Sequence, residues 1–151
     1  MFDNYLIRRG TLQNEVDPAT GAVVGFKFGV KIADYRGTFL SLHNGYFIVV
    51  DGEEYPRALQ TFEVNGKRPR SFDELRTCVW EHWDCTDMAW VHVKKPGGLS
   101  KGVHRVGLQQ SILSYYGYSD HDQEWIDHPP VPGKTGAGKM THTRYFDLEV
   151  V

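Results

Sequence analysis

Trp80-Glu81-His82-Trp83-Asp84 places two indoles, an imidazole and two carboxylates in one short stretch. Such rings stack on the apolar faces of sugars and anchor protein interfaces, because a flat apolar body carries a polar tip. Tyr115, Tyr116 and Tyr118 offer the same chemistry, and so does Trp125. Trp80 follows a helix signal, and finishing the core suits it as well as stacking does. Trp83 and Trp125 sit in loop contexts beside charged residues, where a core position fits less well.

The seven histidines form neither His-x-His nor His-Glu-x-x-His. Val103-His104-Arg105 lacks the order of a cupin-type metal site, so spacing specifies no metal here. A site gathered across strands stays open. Cys78 and Cys85 are too few for a disulfide scaffold and poorly spaced for zinc, so both are expected as reduced thiols.

Pro96-Gly97-Gly98-Leu99-Ser100-Lys101-Gly102-Val103-His104 reads as a loop joining two strands, with glycines free to take positive φ. His104 stands where the next strand begins. Aiming at a site and forming a local hydrogen bond are both open to it.

Gly133-Lys134-Thr135-Gly136-Ala137-Gly138-Lys139-Met140 nearly spells a phosphate-binding loop. Met140 stands where a magnesium-binding hydroxyl is required, and prolines precede the motif instead of a strand. A plain Gly/Lys loop is the expectation. No Gly-x-Ser-x-Gly elbow is present. The spacing of Glu63, Asp84, Asp87 and Asp122 singles out no carboxylate pair for glycoside hydrolysis.

The elements that must position these residues read mostly as strands. Phe26, Phe28, Val30 and Ile32 alternate with polar or small residues; Ala89, Val91 and Val93 do the same, as do Phe146, Leu148 and Val150. Val106, Leu108 and Ile112 share a face, and Tyr46 to Val50 is continuously apolar, as in a strand buried on both sides. Turn residues punctuate the runs at Asp17–Gly21, Asp51-Gly52, Asn65-Gly66 and Pro96–Gly98. Asn65-Gly66 suits a two-residue hairpin. Ser71-Phe72-Asp73-Glu74 has the form of a capping box, predicting a short helix near 72–80 with Leu75 and Val79 on its apolar stripe. The fold class is therefore all-β: a β-sandwich or flattened antiparallel barrel with one short α-helix. Residues 1–151 read as a single domain with a long irregular loop at about 117–142. A loop of that length usually serves a function or is disordered, and its Trp125, histidines and three prolines favour packing on a partner or over a site, with Trp125 and His128 as the contact.

Composition narrows the function. The chain has 151 residues, 17 basic and 19 acidic, for a net charge of −2. Neither a nucleic-acid footprint nor a basic lipid-binding patch is expected. No apolar run approaches the roughly 20 residues of a membrane span. Met1-Phe2-Asp3-Asn4-Tyr5 has neither a basic segment nor an apolar core, so a cytoplasmic protein is expected.

Several segments together resemble one family, the β (small) subunits of bacterial C-glycoside deglycosidases. They are Met1-Phe2-Asp3-x-Tyr5, Gly21-x-Val23-x-Gly25-Phe26-x-Phe28, Tyr35-Arg36-Gly37-x-x-Leu40-Ser41, Val50-Asp51-Gly52 and Ser71-x-Asp73-Glu74-Leu75. Trp83, Val93-x-x-Pro96-Gly97-Gly98-Leu99-x-x-Gly102-x-His104 and Ser114-Tyr115 continue the series. In order and spacing they run from residue 1 to about 116. Pro-Gly-Gly-Leu with the following Gly-x-His is the most specific, and 117–142 finds no match.

The resemblance implies a β-sandwich subunit working with a larger α subunit that looks like a TIM-barrel sugar isomerase/epimerase. That partner holds a divalent metal, Mn2+ or Mg2+, as a Lewis acid; this chain carries no cofactor and no metal ligand. The complex would cleave the carbon–carbon bond of a 3-oxo-C-glucoside. The ketone acidifies the neighbouring C–H, a base takes the proton, and elimination expels the aglycone carbon, helped by an ortho or para phenol. This chain would buttress the barrel and partly lid its mouth, and whether it supplies any catalytic residue is left open. Trp83, His104, Trp125 and His128 are candidates for positions near the active site; Arg36, Tyr115 and Tyr116 are candidates for the partner interface. Two other readings stand beside this one: a stand-alone carbohydrate-binding β-sandwich using Trp83, Tyr115 and Trp125 as platforms, and a small metal-dependent barrel enzyme.

Overall fold

The structure, a computed structural model, describes residues 5–32, 36–112 and 143–151. Tyr115, Tyr116, Trp125, His128 and the 117–142 loop lie outside the described residues.

Strands β1 (Gln13–Val16), β2 (Val23–Val30), β9 (Ala89–Lys94), β6 (Gln60–Glu63) and β7 (Arg70–Ser71) form a five-stranded sheet in the order β1-β2-β9-β6-β7. A four-stranded sheet runs β11-β10-β4-β5, from β11 (Arg144–Glu149), β10 (Val103–Ile112), β4 (His43–Val50) and β5 (Glu53–Glu54). A two-stranded ribbon pairs β3 (Thr38–Phe39) with β8 (His82–Trp83). Every pairing among the described strands is antiparallel. The two larger sheets share one apolar core, and the described strands close no barrel. Of the two architectures open to the sequence, the sandwich is the one adopted.

Alternation decides which side chains enter the core. Phe26, Phe28 and Val30 of β2 point inward, as do Ala89, Val91 and Val93 of β9. From the other sheet come Tyr46, Ile48 and Val50, facing Val106 and Leu108. Phe26 meets Tyr55 edge-on across the sandwich, ring centroids 5.2 Å apart. All of β4 is buried, as its continuous apolar run predicts.

Two local expectations need correction. The capping box forms: Ser71 Oγ accepts from the Glu74 amide, and the Glu74 carboxylate accepts from the Ser71 amide, both at 3.1 Å. Yet α1 covers only Phe72–Leu75. Phe72 and Leu75 are buried, but Val79 is exposed, so no stripe continues to 79. The chain instead folds back, with the Cys78 amide donating to the Leu75 carbonyl.

The tight hairpin also lies elsewhere. Asn65 and Gly66 take positive φ (59° and 72°) and close a turn from Val64 to Lys67, but pairing resumes only at Arg70. The two-residue hairpin is Asp51-Gly52, directly between the Val50–Glu53 pair.

Candidate functional site

The loop from Lys95 to Gly102 crosses from β9 of one sheet to β10 of the other. Residues from both sheets fix it. Asn14 on β1 donates its amide to the Leu99 carbonyl and accepts from the Leu99 N–H, each at 2.8 Å. Gly98 has φ of +64°, and a side chain there would drive its Cβ to 2.5 Å from Asn14 Oδ1. A glycine is therefore required by close approach as well as by φ.

From the other sheet, Asp51 of the β4–β5 turn accepts from His104 Nδ1 at 2.5 Å and from the Arg105 amide at 2.9 Å. His104 Nε2 lies 2.8 Å from the Ser100 carbonyl. Both ring nitrogens thus face oxygen acceptors, which suits the imidazolium, a donor at each nitrogen. The Ser100 carbonyl first, and Asp51 second, raise the His104 pKa above its ordinary value. Asp51 is held below the usual range, chiefly by the Arg105 amide and then by His104. His104 is a clasp between loop and turn, and any ligand it took would displace one of these bonds.

A second imidazole sits on the outer face of the five-stranded sheet. His92 Nδ1 meets Glu15 Oε1 and Nε2 meets Glu63 Oε1, both at 2.7 Å. His92 and Glu15 line a trough of about 390 Å³ together with Thr61 and Pro96. In the sequence, spacing singles out neither Glu63 nor Glu15. Only pairing of β1, β2, β9 and β6 brings them to one imidazole.

Trp83 is not in a loop. It lies on β8 with its side chain fully buried, 5.0 Å from Phe62, and its Nε1–H donates to the Asp87 carbonyl at 2.9 Å. That removes it as a platform for stacking sugars. Trp80 is the exposed one, at 90%; the core position open to it in the sequence is Trp83's instead. His43 also enters the core, against Tyr46, Phe62, Phe72 and Trp83, and neither ring nitrogen has a hydrogen-bond partner among the described residues. Burial, and Arg57 nearby, lower its pKa to about 3, so it packs as a neutral aromatic.

Arg36 is exposed at the approach to β3. The adjoining Gly37 takes φ of +68°, and a Cβ there would lie 2.3 Å from the Trp83 carbonyl oxygen. The described histidines do not gather: His82 bonds Asp84 at 2.6 Å, and the others are placed as above. Among the described residues no three His, Cys, Asp or Glu side chains come together as metal ligands. Cys78 and Cys85 are free thiols. No described helix is long and apolar enough to cross a membrane.

Fold and site together define an antiparallel β-sandwich whose described polar clusters hold loops and strands in register. Its sequence places it more closely. A family model described as C-glycoside deglycosidase beta subunit matches residues 2–116. A protein of Eubacterium cellulosolvens, named C-glycoside deglycosidase beta subunit, is 38% identical over 96 residues, covering 64% of this chain and 65% of its own length. The match thus spans just under two thirds of that relative. The chain belongs to the C-glycoside deglycosidase beta subunit family.

Proposed function

We propose that this chain is the small subunit of a heteromeric lyase that cleaves the C–C glycosidic bond of 3-oxo-C-glucosides. The match to the family over residues 2–116 carries the reading. A β subunit implies a partner, and we assign it as a TIM-barrel α subunit of the sugar isomerase/epimerase kind, in the cytoplasm. The ketone of the substrate acidifies the adjacent C–H. A base removes that proton, a double bond forms in the sugar, and the bond to the aglycone carbon breaks, that carbon taking up a proton. The divalent metal, Mn2+ or Mg2+, is assigned to the partner.

This chain's part is to buttress the barrel and shape its mouth. The rigid attachment of loop 95–102 to both sheets supports that role, with His104 acting through the loop it fixes. Arg36, Tyr115 and Tyr116 are assigned to the partner interface, and Trp125 and His128 to the approach to the substrate. The test is co-expression with the α subunit, native mass measurement, and aglycone release from a 3-oxo-C-glucoside. A mixed assembly that releases aglycone only when both chains are present supports the proposal. Two chains that do not associate overturn it. Deleting 121–138 should lower assembly or turnover, and wild-type turnover by that variant would remove the loop's assigned role.

A further inference from the structure

A cavity of about 730 Å³ opens beside the end of β2. Small-molecule sites span roughly 300–1,000 Å³, so its size suits one. Ile7 and Ile32 line it with buried apolar surface, and the exposed Tyr5 ring adds an aromatic face. Arg8, Arg9 and Lys31 bring positive charge to it, and no Asp or Glu is among the described lining residues.

The backbone fixes where these cations stand. Ile7 bridges Val30; the Arg8 amide donates to the Gly29 carbonyl and the Lys31 amide to the Leu6 carbonyl, both at 2.9 Å. Thr11 Oγ1 ties the same stretch to β2, donating to the Arg8 carbonyl at 2.5 Å and accepting from the Gly29 amide at 2.9 Å. Two segments separated in the chain thus carry their basic residues to one cavity. Elsewhere Arg57, Lys67, Arg68, Arg70 and Lys95 each pair with a carboxylate. Among the described residues, Arg8 meets Met88 Sδ at 3.7 Å and Arg9 the Asp147 carbonyl at 3.5 Å, and neither arginine nor Lys31 pairs with a carboxylate. Cations gathered without a counter-charge repel one another, and the low-dielectric walls of a cavity focus their field on an incoming anion.

We infer that this cavity binds a small aromatic carboxylate, its ring against the isoleucines and its charge among Arg8, Arg9 and Lys31. A guanidinium fork matches the two oxygens of a carboxylate, and Lys31 adds a compact charge. The apolar lining favours such a ligand over inorganic phosphate, which has no apolar body to remove from water. The site uses residues of this chain alone, so it is independent of the subunit assignment. Cys85, a free thiol, also lines the cavity and reports on its field.

Calorimetry on the full chain at low salt compares 2-naphthoate, its uncharged amide and inorganic phosphate. Naphthoate should bind saturably, with the amide and phosphate about tenfold or more weaker. The double variant Arg8→Gln, Lys31→Gln should keep wild-type circular dichroism and lose about tenfold in naphthoate affinity. Alkylation of the wild-type chain gives a second reading. Iodoacetate, relative to neutral iodoacetamide, should favour Cys85 over Cys78, and naphthoate should slow the reaction at Cys85. Naphthoate that neither binds saturably nor protects Cys85 would refute the site, as would equal binding of the amide or of phosphate, or full affinity in the double variant. If the double variant instead weakens assembly with the α subunit while naphthoate does not bind, an acidic side chain of that partner is the occupant and the assignment falls.

Discussion

Trp80 and Trp83 stand three residues apart at opposite extremes, one 90% exposed and the other fully buried. Glu81 and His82 between them carry the chain from an open turn into β8, where Trp83 pairs with Thr38. Substitution should separate the two roles. Trp83→Ala removes a ring packed on His43 and Phe62 and should cost about 3–5 kcal/mol of stability. Trp80→Ala should stay within about 0.5 kcal/mol of wild type. Urea unfolding monitored by circular dichroism measures both, and equal losses would contradict the assignment.

The His104–Asp51 clasp should make stability depend on pH in a defined sense. The folded-state pKa of His104 is raised, so its contribution is complete below the ordinary value of 6.5 and is lost as pH climbs through the folded value. Asp51 is lowered, so its contribution is complete above 3.8 and is lost as pH falls through the folded value. His104→Gln should cost about 1 kcal/mol near pH 6, a figure kept small because the Asp51 carboxylate is half exposed and screened. The gap between wild type and variant should narrow toward alkaline pH. A gap that stays constant from about pH 5 to about pH 10 would count against the clasp.

His43 acts in the opposite sense. Its pKa falls from 6.5 to about 3, so the unfolded chain binds a proton in that window that the folded chain refuses. Stability therefore rises with pH between those values, by up to about 1.4 kcal/mol per pH unit. His43→Phe should remove most of the slope between about pH 6.5 and pH 5, above the carboxylate range. Denaturant midpoints across that interval decide it, and an unchanged slope would mean another group is responsible.

The Gly98–Asn14 contact can be read by a double-mutant cycle. Gly98→Ala should destabilise by about 1–3 kcal/mol, combining positive φ with the clash against Asn14 Oδ1. In an Asn14→Ala background the clash is gone and the penalty should shrink, leaving the φ cost and the approach to Val23. Additive effects would show that the two residues do not press on each other.

What the sequence determined by itself was local. Alternation at Phe26, Phe28 and Val30, and at Ala89, Val91 and Val93, specified strands and their buried faces, because side chains along a strand point to opposite sides. Ser71 and Glu74 specified the helix start, because both capping bonds join neighbours in the chain. Tertiary structure decided the rest. Trp80 and Trp83 have the same local chemistry, and only the pairing of β8 with β3 buries one of them. Glu15 and Glu63 reach His92 from positions 77 and 29 residues away, and Asp51 reaches His104 from 53. Strand register sets such contacts, and register depends on the packing of the whole sandwich.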